Sequence, residues 1–164
     1  MANFVFNIAK GRVVEYYNRV ESNDPANSAF VIVALQATGI EADATLQDYA
    51  NLSLLLAGAS NEAVNTPGYE RKVLTNTELA ALPAPDNTDN WYEVTVPNQT
   101  WTAVPDTGNP STNPWGKLLI CYNSDTVGNT DVNIIPMTAH DFAVTPDGSD
   151  IVMQVGADGF FRAA

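Results

Sequence analysis

Only one histidine, His140, and one cysteine, Cys121, stand in these 164 residues, and they bound the chemistry the chain can carry. His140 adjoins Asp141 just before an expected strand. A Ser-His-acid relay also needs an activated serine on a G-x-S-x-G elbow, and the run opening Gly58-Ala59-Ser60-Asn61 lacks the closing glycine. A Cys121–His140 pair is conceivable, but no local signature supports it. A zinc site needs three or four Cys, His or acid ligands at set spacings, and no glycine loop of phosphate-binding form is present. Cys121 lies in Leu118-Leu119-Ile120-Cys121-Tyr122, where a free thiol acts as a small buried hydrophobe on a strand. His140 reads as a structural or surface residue. The expectation is a protein without catalytic residues, cofactor or metal.

Three further sets of residues could bind. Asp125–Asp131 and Asp147–Asp150 are oxygen-rich loops of a kind that can hold calcium, but neither has EF-hand spacing, and Asp, Asn and Gly populate turns for backbone reasons alone. Arg71-Lys72 is a basic pair on an expected strand, where pairing with neighbouring acids is the simpler reading. Trp91, Trp101 and Trp115 could form a sugar-binding platform, although Trp101 and Trp115, flanked by turn residues, fit better as plugs at the ends of a core.

Charge is distributed unevenly. Lys10, Arg12 and Arg19 face only Glu15 in residues 1–20, a balance of +2, while the remaining 144 residues set four basic against eighteen acidic side chains, −14, for a total of −12. An acidic body argues against nucleic acid, whose binding needs clustered Lys and Arg, and against an anionic membrane surface. A hydrophobic fraction of 45% suits a globular domain. No secretion signal and no apolar run of membrane-spanning length is apparent, so synthesis in a cytoplasm is expected.

The elements that must position these residues are mostly strands. Residues 1–20 read as an extended N-terminal arm and 21–164 as one domain. Ala29–Leu35 is apolar on both faces, as a buried strand requires. Further strands are expected at Tyr69–Leu74, Trp91–Val96, Thr100–Val104, Lys117–Tyr122, Asn133–Pro136, Asp141–Thr145 and Ile151–Val155. A hairpin is expected through Asp147-Gly148. One helix is expected near 45–57, from the spacing of Leu46, Tyr49, Leu52, Leu55 and Leu56, with Thr45 as cap and Gly58 as stop, and a shorter helical turn at Thr77–Leu82. Short strands parted by Pro, Gly, Asn and Asp indicate a mainly β protein, an antiparallel β-sandwich of jelly-roll or immunoglobulin-like type. Val104–Pro114, rich in Pro and Gly, reads as a projecting contact loop.

Asn3–Val13, Glu62–Leu74, Trp115–Tyr122 and Pro136–Arg162 together resemble small virion structural proteins of tailed bacteriophages, across nearly the whole chain. That resemblance implies a capsid decoration, or cement, protein located on the phage head surface. A tail or fibre-associated or host-glycan-binding virion protein is the alternative. Its implied partners are the major capsid protein and further copies of itself in a homotrimer. The arm would then be the anchor, mobile when free, with Phe4, Phe6 and Ile8 as apolar contacts and Lys10, Arg12 and Arg19 as charged ones.

Overall fold

A computed structural model describes residues 3–109 and 114–163. Its centre is the antiparallel pair β2 (Ala29–Gln36) and β6 (Trp115–Asn123), in which every residue is buried. Strands β1 (Phe4–Val5), β3 (Lys72–Leu74) and β7 (Ile135–Val144) complete a five-stranded antiparallel sheet in the order β1-β7-β6-β2-β3. The run of apolar residues in β2 and β6 has a direct consequence. Successive side chains point to opposite faces, so both faces of the sheet are apolar and both must be covered.

Each face has its own core. Phe30, Ile32 and Ala34 of β2 and Leu118, Ile120 and Tyr122 of β6 look one way. They are covered by helix α1 (Val13–Glu21) and by two small ribbons, β4 (Tyr92–Val94) with β9 (Phe161–Ala163) and β5 (Gln99–Trp101) with β8 (Ile151–Met153). Val31, Val33, Leu35, Leu119 and Cys121 look the other way, onto Phe6, Leu46, Leu52, Leu55 and Ile134. The protein is mainly β, with 30% of residues in strands and 16% in helices, and its layered antiparallel sheet is sandwich-like.

Residues 3–21 differ from the expected extended arm. Phe4 and Val5 pair with Ala139 and Thr138 of β7, and the Phe6 N–H donates to the Met137 carbonyl. Phe6 is fully buried in one core. After Gly11, whose φ of +77° suits a residue without Cβ, the chain enters α1 and reaches the opposite core. Val13, Tyr16, Tyr17 and Val20 are its buried residues, at the i, i+3, i+4, i+7 spacing of one helical stripe. Tyr16 stacks on Tyr122 at 4.5 Å. The segment is part of both cores.

Other differences are local. The expected helix near 45–57 is two, α2 (Asp43–Leu46) and α3 (Leu52–Ala57). The break comes where the Leu52 N–H donates to the Ile134 carbonyl and Asn51 accepts from the Leu54 N–H as a new cap. Thr77–Leu82 is not helical: Glu78 reaches back to the Thr75 N–H and to the hydroxyls of Thr75 and Thr77, closing a turn. The Asp147-Gly148 turn joins no hairpin. The strands Asn133–Pro136 and Asp141–Thr145 merge into the single β7, and β8 pairs with β5 instead. The turn carries the chain from sheet to ribbon, pinned by Gly148 N–H to the Val104 carbonyl and Val104 N–H to the Ser149 carbonyl. Of the expected contact loop Val104–Pro114, residues 110–113 lie outside the described residues.

Because Phe6 fills a fully buried site, Phe6→Ala is expected to cost about 3–5 kcal/mol of stability, measured as a lower urea midpoint. Deletion of residues 2–10 should cost at least as much. A truncated chain with an unchanged midpoint would restore the free-arm picture.

Candidate interaction surface

The six expected contact residues are divided by the fold. Phe6 is enclosed, and Phe4 is half-buried, tilted against Phe6 at 5.2 Å between ring centres. Neither is presented as an anchor. Ile8 (38% exposed), Lys10 and Arg12 reach the surface together, where a single 3-10 turn (Asn7–Ala9) leads into α1. Buried neighbours hold this tip from within: Ala9 and Val13 are buried beneath it. Asn7 fixes its flank, its N–H donating to the Gln47 carbonyl and its side-chain amide to Asp48 Oδ1 at 2.6 Å. Arg19 lies further along α1 and shares Glu15 with Arg12, at 2.7 and 3.1 Å. The two guanidiniums hold the Glu15 carboxyl below its usual range by hydrogen bonding. Exposed pairs of this kind contribute little, because solvent screens them, so a partner carboxylate could replace Glu15 at small cost.

The cations of the body are committed elsewhere. Arg71 binds Glu62 at 2.6 Å and Asp131 at 2.6 Å, joining the chain before β3 to a nearby turn and to a segment distant in sequence. Tyr69 donates to the same Glu62 at 2.8 Å and accepts from the Ala34 N–H. Arg71 holds the Asp131 carboxyl below its usual range, chiefly through these hydrogen bonds. Lys72 pairs with Glu70, and Arg162 with Glu93 and Asp158 while lying 3.8 Å over Trp91. Lys117 is fully buried between Asp43 and Asp141. The Arg71-Lys72 pair is thus internal structure.

Cys121 and His140 do not meet. Cys121 faces the core containing Phe6, and burial pushes its thiol well above the ordinary range. His140 stands opposite Leu118 in the sheet register and so lies on the other face, beside a cleft of about 370 Å³ floored by Leu118, Ile120, Phe142, Met153 and Phe160. Its Nε2 is 2.9 Å from Thr138 Oγ1. The imidazole is half-buried, with one hydroxyl partner. Asp125 and Asp147 spend carboxylate oxygens on nearby backbone N–H groups, Asp150 accepts from the Ala103 N–H, and Asp131 is held by Arg71. Among the described residues no group of three His, Cys, Asp or Glu is placed to hold a metal. Trp101 and Trp115 are fully buried and meet edge to face at 5.3 Å, which removes them as a sugar platform. The stripe in α1 was the missed signal in the sequence; nothing local marked Lys117 as buried.

Burial first, and then Lys117, lowers the His140 pKa below its ordinary value, with Asp141 opposing. The unfolded chain therefore takes up this proton at higher pH than the folded one, and stability falls as pH drops through about 6.5. Between about pH 7 and about pH 5 the wild type should lose more stability than His140→Gln, which keeps a partner for Thr138. Equal losses in chemical denaturation would show that His140 is not desolvated.

Comparison with protein-family models, with curated proteins and with solved structures finds no match to this chain.

Proposed function

We propose that the protein is a structural component of a tailed-phage virion, a head decoration protein that binds the major capsid protein without carrying out chemistry. The resemblance of Asn3–Val13, Glu62–Leu74, Trp115–Tyr122 and Pro136–Arg162 supports this reading. The observation that carries it is the tip: Ile8, Lys10 and Arg12 are exposed together on a held segment, while the cations of the body are engaged in internal ion pairs. An exposed apolar residue followed by two cations suits a partner surface that presents carboxylates beside an apolar spot.

The mode of gripping differs from that of a flexible arm. A tip already ordered by the cores loses little conformational entropy on docking, so more of the contact energy appears as affinity. Binding only to the assembled shell would stabilise that state by mass action. A homotrimer on the shell belongs to the same proposal, since symmetric contacts cover the short edge strands β1 and β3. A tail location is the second reading, distinguished by copy number on the particle.

Heads lacking this protein, mixed with the purified chain, provide the test. Lys10→Glu with Arg12→Glu should weaken binding at least about tenfold, a loss of about 1.4 kcal/mol, and raised salt should weaken wild-type binding. Heads should also withstand higher temperature when the wild type is bound. Unchanged occupancy by the double variant, or unchanged thermal stability of decorated heads, would contradict the proposal.

A further inference from the structure

The ammonium of Lys117 occupies an unusual position for an acidic protein. The side chain is completely buried, on the sheet face shared with Leu119 and Cys121. Its Nζ lies 2.5 Å from Oδ1 of Asp141, its register partner on β7, and 3.2 Å from Oδ1 of Asp43 at the start of α2. The Phe4 ring lies 5.3 Å away. Asn3 completes the surround, accepting from the Asp141 N–H at 2.9 Å. One amine thus meets two carboxylates from separate elements under an aromatic lid.

Enclosing the Lys117 ammonium bears a desolvation cost, which attraction to the half-exposed carboxylates has to offset. There is a second way to discharge it. Held in fixed contact, an amine and a carboxylic acid can condense, because positioning replaces the entropy that makes the bimolecular reaction slow. We propose that Lys117 and Asp141 form an intramolecular isopeptide bond, with Asp43 carrying the proton between the reacting groups. This inference is independent of the virion reading.

The step balances without any outside reagent. One proton passes from Lys117 Nζ to the Asp141 carboxylate, giving a neutral amine and a neutral acid. The nitrogen lone pair attacks Cγ of Asp141, which lies one bond beyond the oxygen it touches, and the carbonyl electron pair moves onto oxygen. Asp43 takes a proton from the nitrogen and returns it to the departing hydroxyl. The C–O bond then breaks, its electron pair leaves with water, and the Nζ–Cγ amide remains. Asp141 is 38% exposed, so the water has a way out, while the nitrogen stays enclosed. The product joins β6 to β7 covalently and removes both charges from the pair.

Intact mass of the full chain under denaturing conditions is the test. The wild type should weigh less than its sequence by one water. Lys117 is the only tryptic site between Lys72 and Arg162, so digestion of the linked chain should leave residues 73–162 in one piece. Lys117→Arg, which keeps a cation for both carboxylates, should restore the full mass. Asp43→Asn should leave the chain unlinked. A wild type of full mass that is cut after Lys117 would overturn the proposal. So would a water loss that persists in Lys117→Arg, since it would then arise elsewhere, as at Asp147-Gly148. Complete linkage in Asp43→Asn would overturn the role given to Asp43.

Discussion

Two strands buried on both faces set the problem that the rest of this chain solves. β2 and β6 contribute seventeen consecutive-in-strand positions, eight and nine residues, and all are shielded from water. A single sheet with two apolar faces cannot stand alone, because apolar surface left in water costs about 25 cal/mol per Å². The cover comes from both ends of the chain and from its middle. The N-terminal segment supplies some to each face, Phe6 to one beside α2 and α3, and α1 to the other, where the ribbons β4–β9 and β5–β8 complete it. Nine residues of α1 would be marginal as an isolated helix, so its stability comes from that packing.

The same constraint orders the charges. A body with four basic residues and eighteen acidic ones would repel itself as it compacts. Three of its four cations are placed where one positive charge meets two carboxylates: Arg71 with Glu62 and Asp131, Lys117 with Asp43 and Asp141, and Arg162 with Glu93 and Asp158. Each group includes one pair distant in sequence: Arg71–Asp131, Lys117–Asp43 and Arg162–Glu93. In the N-terminal segment the arrangement is reversed, with Arg12 and Arg19 sharing one exposed acid, Glu15, and Lys10 at the surface. The proposed docking tip follows from this division between cations used for folding and cations displayed.

Much of the fold was legible in the residues, and the failures have physical causes. Ala29–Leu35 could only be a two-faced buried strand, and the mainly β class followed from it and from the turn residues between strands. The basic charge of residues 1–20 suggests a docking arm, whereas the Val13, Tyr16, Tyr17, Val20 stripe specifies a helix packed on the core. Asp147-Gly148 has the chemistry of a hairpin turn, but β5 competes for β8, and partner choice depends on tertiary packing that no local pattern encodes. Lys117 opens the expected strand Lys117–Tyr122, and nothing next to it in sequence marks it as buried. Its burial depends on Asp43 and Asp141, which are distant in sequence and reach it only through the fold. The candidate surface was legible in composition, whereas its division into enclosed Phe6 and displayed Ile8, Lys10 and Arg12 required the packing.

The central claim is that the N-terminal segment is structural core carrying a fixed, exposed tip. Native-state hydrogen exchange tests it most directly, because amides that open only with global unfolding exchange at the rate set by total stability. The amides of Phe6, Tyr16 and Tyr17 should be as protected as those of Ile32 and Ile120 in the central strands. Exchange of the three at the rate of an exposed loop, with the central strands still protected, would contradict the account.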